Sequence, residues 1–576
     1  MSTKEVITLQ VGSYSNFVGT HWWNLQESSF VYDPQHLAAF PKEVNHDVLF
    51  REGKTVTGQV TYTPRLVLFD LNHSLGSLRR EGTLYTVDTE ESVNWIGDVT
   101  LHEAPREKQN VFLADLDEEK DDSEDGEEQK AIDVEGGEDS KTLEQDSGDV
   151  PVKQEDAILG KPLYNLDSEV KVWSDFLRTA FHPRTIHLIQ DYQHNDSEQP
   201  FNVFGMGHHV VGDKTVWDQI EDRMRYFTEE CDHLQGFQMF LDCYGGFSGV
   251  GASLLSFLAD EYSSKSKFVF AVTPPNVPDK TAKERSCRII NSALSLYHGC
   301  ELGSLYLPLS MSSSLWKSVG NPVTLPYLDC KTNLDYHTSA VLAASIDTMT
   351  LPYRKDTAPS RIVDITSSFG SFGRKVACLN SSLPFPMKTG SSFQDSLISL
   401  GKADPWVSLT PHVKCLDSPY YQSCVVRGIS DSMVKRSQQS KSPRGMLSSC
   451  STVDDVLRLY LSETYPSSMN AGCTMRDGLM VGSPFPHMFS SNINHKGFIS
   501  DTKRSVNSGV YSVPAMTSLQ SSSNIYNYVA SLQQNVSQFN INRHSHFLEA
   551  GMEEDDYAEM VEGLLTLADC YKTEGD

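Results

Sequence analysis

The chain has no cysteine before Cys231, and none of its 11 cysteines stands in a Cys-x-x-Cys pair. That excludes a zinc ribbon and a disulfide framework, and a reduced, intracellular protein is expected. Positive charge is scarce: 48 Lys and Arg face 76 Asp and Glu, for a net charge of −28. Nucleic acid is excluded as a partner, because its phosphates demand a basic footprint. No uncharged apolar run approaches the roughly 18–20 residues of a membrane span. Met1-Ser2-Thr3-Lys4-Glu5 leads straight into a strand pattern, without the apolar core of a signal peptide. Any membrane association is expected to be peripheral or through a partner.

A length of 576 residues, 39% of them apolar, suits two or three domains of roughly 100–200 residues each. The most informative stretch is Gly245-Gly246-Phe247-Ser248-Gly249-Val250-Gly251. The apolar run 236–243 before it reads as a strand. After it, Leu254, Leu255 and Leu258 fall on one helical face, and Phe268-Val269-Phe270-Ala271-Val272 reads as the next strand. Strand, glycine loop, helix and strand make a βαβ unit and imply a parallel sheet. Glycines at such a turn let the backbone approach a ligand, and the helix N-terminus offers free N–H groups to a phosphate. The loop lacks the Gly-Lys-Ser/Thr ending of a P-loop. A tight turn explains its glycines almost as well.

Val6-Ile7-Thr8-Leu9-Gln10-Val11 reads as a buried strand running into a turn at Gly12. Residues 172–178 read as an amphipathic helix, closed by Phe181-His182-Pro183-Arg184-Thr185. Gly205-Met206-Gly207-His208-His209 reads as a strand, which sends its two histidines to opposite faces and leaves no metal site. Trp217, Ile220, Met224 and Phe227 mark a helical core stripe. Val453, Val456, Leu457, Tyr460 and Leu461 mark a second, and Tyr557, Leu564, Leu567 and Tyr571 a third. Residues 115–156 hold 19 Asp and Glu against 4 Lys, a net −15, with no aromatic. They are expected to be disordered, since nothing in them can offset the ordering entropy. Residues 428–450 and 500–523 are expected to be flexible loops, and Asp70 to cap a turn.

Several runs carry a resemblance. Cys231-Asp232-His233-Leu234-Gln235-Gly236-Phe237-Gln238, the glycine loop and Asp260-Glu261-Tyr262 resemble the signature region of tubulins, whose loop reads Gly-Gly-Gly-Thr-Gly-Ser-Gly. Phe247, Ser248 and Val250 replace its third glycine, threonine and serine. Gly12, Asn16 and Gly19 match the tubulin N-terminal Gly-Gln-Cys-Gly-Asn-Gln-Ile-Gly, with Ser13 and Tyr14 in place of glutamine and cysteine. Tyr62-Thr63-Pro64-Arg65-Leu66-Val67-Leu68-Phe69-Asp70-Leu71-Asn72 is similar to another core run, and Asn72 replaces a glutamate near the magnesium. Asn291 falls in a run resembling the helix after the sugar-binding loop, and Tyr336 in the one whose tyrosine stacks on guanine. Residues 369–374 hold no carboxylate where tubulins carry Asn-x-Asp. The run 172–178, the acidic stretch and the tubulin-like ends together resemble the Misato family, over nearly the whole chain.

The resemblance implies a tubulin/FtsZ-like α/β fold. A parallel-sheet, nucleotide-binding-type domain spans 1–375 and carries the acidic insertion 115–156. A smaller α+β domain spans 376–540, and a C-terminal helical pair spans 541–576. GTP is the implied candidate cofactor. The implied nucleotide-binding positions are Gly12, Asn16, Gly245, Gly246 and Ser248, joined by Gly249, Gly251, Asn291 and Tyr336. The changes at Ser13, Tyr14, Asn72 and in 369–374 imply a degenerate site, with no catalytic residue, no metal and weak GTP binding at most. The Misato family is linked to mitochondrial distribution and morphology. The expected protein is therefore non-enzymatic, cytoplasmic and peripheral on the cytosolic face of the mitochondrial outer membrane. It is expected to act in mitochondrial distribution, network morphology and fusion. Its expected partners are proteins of the mitochondrial surface, tubulin or the cytosolic chaperonin. The alternative is a GTP-binding, self-assembling cytoskeletal GTPase.

Overall fold

The computed structural model describes residues 4–30, 42–54, 58, 60–79, 108–118, 163–277, 281–316, 320–401, 404–414, 419–434, 450–505 and 508–572. The first half runs β1 (Val6–Val11), α1 (Ser13–Ser28), the hairpin β2 (Phe50–Lys54) and β3 (Val60–Pro64), β4 (Leu66–Asn72) and helix α2 at 111–118. It continues through β5 (Ile186–Gln193), α3 (Phe204–Gly212), α4 (Lys214–Glu229), β6 (Gly236–Asp242), α5 (Phe247–Glu261), β7 (Ser266–Val272), α6 (Ala282–Leu302), β8 (Leu305–Leu309) and α7 (Asp335–Arg354). Six of these strands form one wholly parallel sheet in the order β5-β4-β1-β6-β7-β8. Its strands are apolar on both sides because helices cover both faces. Val6, Leu66 and Phe240 join one core cluster with α1 and α7. Ile7, Leu9 and Val67 join the other, with α3 to α6.

A second sheet follows α8 (Ile362–Phe369). It comprises β9 (Cys378–Ser382), β10 (Val407–Ser408), β11 (Tyr421–Arg427), β12 (Met469–Met475) and, after the short pair β13 (Leu479–Met480) and β14 (Ser512–Val513), β15 (Ala515–Ser521). The order is β10-β9-β15-β11-β12, antiparallel except between β11 and β12. Helix α7 lies between the two sheets, buried throughout after Asp335, and packs against α1, β11 and β15. Helices α9 (Phe393–Leu400) and α10 (Val453–Thr464) cover the second sheet, and α11 (Ile525–Ser537), α12 (Ser545–Glu549) and α13 (Glu554–Asp569) return to the first domain. In α10, Thr452 caps the N-terminus through the Asp455 N–H, and the expected stripe is buried.

Four expectations are corrected. The stretch 500–523 contains β15, a fully buried central strand. Its Ser518 and Gln520 side chains are paired: Asn380 donates to Gln520, and Gln520 and Ser518 donate to Gln422. Residues 172–178 form only a 3-10 turn, Trp173–Phe176. Residues 205–209 lie in helix α3, not in a strand, with His208 and His209 both exposed. Residues 115–118 end helix α2, where Phe112 is buried and Asp115 accepts from the Tyr164 hydroxyl at 2.7 Å. The acidic residues 119–156 and the loop 435–449 lie outside the described residues.

Beyond α8, Phe372 sits at φ 60°, ψ 36° and is 88% exposed. A left-handed Phe costs about 1–2 kcal/mol, a conformation that Asn tolerates better. Phe372→Asn is therefore expected to raise stability by about 0.5–1 kcal/mol in urea unfolding. A loss of similar size would mean that the ring is held by packing.

Candidate functional site

The parallel strands end on one side. There the turns after β1, β5, β6 and β7 and the start of α7 surround a cavity of about 550 Å³, a size usual for ligand pockets. Gly12 turns the chain from β1 into α1 at φ 114°, where glycine is favoured. A Cβ there would fall 2.5 Å from the Asp242 carboxylate. That carboxylate, at the end of β6, accepts the backbone N–H of Tyr14 at 3.0 Å and of Ser15 at 2.7 Å. These are free donors of the first turn of α1. A carboxyl group of the chain itself is thus already held at this helix N-terminus. Burial above all, with Asp70 and Asp335 nearby, pushes the Asp242 carboxyl well up, against the pull of those two donors.

Asp70 is wholly buried and does not serve as the expected turn cap. It accepts from Asn16 Nδ2 at 2.9 Å, Trp173 Nε1 at 2.8 Å and the Leu71 N–H at 2.8 Å. Burial raises its carboxyl, and the three donors oppose that rise. Asn16 also donates to the Phe69 carbonyl at 3.2 Å, so its amide nitrogen is committed to β4. Asn72 is not part of the cavity wall.

The glycine loop has a different use from the one expected of it. Gly245 lines the cavity. A Cβ on Gly246 would meet the Phe201 ring at 2.8 Å, one on Gly249 the Phe204 carbonyl oxygen at 1.9 Å, and one on Gly251 the Leu241 side chain at 2.4 Å. These glycines let α5 pack closely on the residues around α3 and on β6. The Ser248 and Gly249 N–H groups bond back to the carbonyls of Gly245 and Gly246, at 3.1 and 3.0 Å. The Ser248 hydroxyl also turns back to the Gly245 carbonyl. Phe247 lines the cavity, edge-on to Phe201 at 5.1 Å.

Asn291 is buried on α6. Its amide donates to the carbonyls of Asn202 at 2.7 Å and Tyr244 at 3.0 Å, and its oxygen accepts the Phe204 N–H at 3.0 Å. It clamps the loops behind the cavity. Tyr336 lines the cavity, beside His21 and Phe176 with ring centres 5.2 and 5.0 Å away, and donates its hydroxyl to the Pro484 carbonyl. The structure therefore brings Gly245 and Tyr336 to the cavity. Gly12, Asn16, Gly246, Ser248, Gly249, Gly251 and Asn291 build the walls from behind. Asp242 and Phe201 were missed, while Asp335 stands in an Asn-x-Asp, Asn333-Leu334-Asp335, that lies before the tyrosine segment and not where tubulins carry theirs. Of the two missed residues, Asp242 left a visible signal, as a carboxylate closing an apolar strand just before a glycine loop.

The tubulin resemblance implies GTP as the ligand of this cavity. A triphosphate needs unbonded N–H groups at helix N-termini. Here Asp242 has taken the Tyr14 and Ser15 N–H groups of α1, and the first turn of α5 closes on its own carbonyls beside the Phe247 ring. Asp335 adds a carboxylate at the start of α7. This arrangement does not fit a triphosphate. Among the described residues, no group of three or more His, Cys, Asp or Glu is placed to hold a metal ion. No helix among them is long and apolar enough to cross a membrane.

Comparison with known proteins supports the same fold. A family model described as the Misato Segment II tubulin-like domain matches residues 4–118, and one described as a tubulin domain matches residues 164–355. The chain is similar to protein misato homolog 1 of Homo sapiens, 35% identical over 577 residues, which cover 99% of this chain and 98% of that one. It is 28% identical to protein misato of Drosophila melanogaster over 584 residues, with 99% and 98% covered. Protein DML1 of Gibberella zeae is 30% identical over 358 residues, 61% of each chain.

Proposed function

The chain belongs to the Misato family of tubulin-like proteins, and from that premise we propose that it is a non-enzymatic protein acting in mitochondrial distribution, network morphology and fusion. It works from the cytoplasm and the cytosolic face of the mitochondrial outer membrane, through protein partners. Tubulin and the cytosolic chaperonin are the candidates. The observation that supports the non-enzymatic reading is the Asp242 carboxylate seated on the first turn of α1. The mitochondrial role comes from the family resemblance.

Two measurements test this reading. Depleting the protein is expected to disturb the mitochondrial network, and the full chain is expected to restore it. Alkaline carbonate is expected to release it from isolated mitochondria, because it has only peripheral and partner contacts to lose. An unchanged network, or retention in the carbonate pellet without a tightly held integral partner, would contradict it.

A further inference from the structure

The cavity is walled by six aromatic rings, of Tyr14, Phe17, Phe201, Tyr244, Phe247 and Tyr336. Four carboxylates join them. Three are already engaged. Asp167 pairs with Lys331 at 2.6 Å and His337 at 2.8 Å. Asp196 accepts the N–H groups of Glu198 and Gln199, and Asp242 those of Tyr14 and Ser15. The fourth, Asp335, stands at the mouth of the same cavity on the first position of α7, and no hydrogen bond to its side chain is found among the described residues. Lys171 and His194 are the basic residues in the walls.

We propose that this cavity receives an organic cation, a guanidinium or alkylammonium group, held between aromatic ring faces and the Asp335 carboxylate. The inference rests on the reading of the site as one that does not serve GTP. Ring faces carry negative potential and attract such cations, most strongly where water is excluded. The helix N-termini that would favour an anion here are answered from within, α1 by Asp242 and α7 by Asp335 itself. Asp335 is exposed as a residue, and desolvation still pushes its carboxyl up to about 6. The cation can come from a free amine or from the arginine or lysine of a protein partner, since the recognising chemistry is the same.

The test is calorimetry on the full chain with three probes: agmatine, an uncharged-ended glycine peptide carrying one central arginine, and GTP with Mg²⁺. Agmatine or the peptide is expected to bind at one site. Asp335→Asn is expected to weaken that binding roughly tenfold at unchanged melting temperature, and Asp335→Glu to retain most of it. Binding by agmatine alone identifies a free amine as the source, and preferential binding of the peptide identifies a partner's side chain. The inference is overturned if neither cation binds, or if Asp335→Asn leaves binding unmoved. GTP binding with neither cation bound overturns the non-nucleotide reading as well, whereas no binding by any probe overturns this inference alone.

Discussion

Asp347→Ala is expected to cost about 3–5 kcal/mol, the penalty for opening a buried ion network by removing one partner. Asp347 bridges Arg354 at 3.0 Å and Arg427 at 2.5 Å, and all three side chains are buried. Gln26 of α1 donates to the same carboxylate and accepts from Arg354 at 2.6 Å. The network thus ties α1, α7 and the second sheet together at one point. Without the carboxylate, two guanidiniums of like charge remain in the interior, with only Asp477 acting on Arg427 from farther off. A domain's stability is about 5–15 kcal/mol, so the loss is a large part of it. Urea unfolding measures it. Replacing all three charged residues by Leu, Met and Met is expected to recover much of the loss, because the pair was stabilising only relative to its broken form. A single-variant cost below about 1 kcal/mol would show that water already reaches the site.

No phosphate release from GTP is expected above the uncatalysed rate, at any protein concentration. Phosphoryl transfer depends on positioning and on charge neutralisation by a metal. Asn72 stands where tubulins place a glutamate near magnesium, and residues 369–374 hold no carboxylate to orient water. Individual groups of this kind contribute roughly 10²–10⁴-fold, and losing two multiplies the deficit. The Asp242 carboxyl on the α1 N-terminus occupies donors that a phosphate would need. Gly249 is a poor position for a control substitution, since a Cβ there would strike the Phe204 carbonyl and disturb packing. Gly245 is better: it lines the cavity, and its nearest neighbour to a Cβ is 3.4 Å away. Turnover that rises with protein concentration and disappears in Gly245→Glu would identify a self-assembling GTPase instead.

The parallel sheet was readable because apolar runs such as Phe268-Val269-Phe270-Ala271-Val272 end at glycine or proline, and because a strand covered on both faces needs no polar alternation. The helical stripes at Ile220, Met224 and Phe227, and in α10, were readable for the same reason of periodicity. Strand β15 was not. Its Ser518 and Gln520 look like loop residues until Asn380 and Gln422 are brought opposite them, across neighbouring strands far away in the chain. The turn at Trp173–Phe176 shares its apolar spacing with a helix, and its indole goes to Asp70, a partner 103 residues away. The site was hidden by the same kind of distance. Gly12 announces a tight turn, but only the fold shows that the space beside it is filled by Asp242, 2.5 Å from where a Cβ would stand. Glycine motifs report that backbone must pass closely, and they do not report what it passes.

The most direct test of the central claim is the guanine nucleotide content of the purified full chain, released by denaturation, quantified, and followed by titration with a fluorescent GTP analogue. The expected result is far less than one nucleotide per chain and, at most, weak binding that Asp242→Ala strengthens by freeing the Tyr14 and Ser15 N–H groups. One tightly held GTP or GDP per chain would contradict the account, because the first turn of α1 cannot serve both a phosphate and the Asp242 carboxylate.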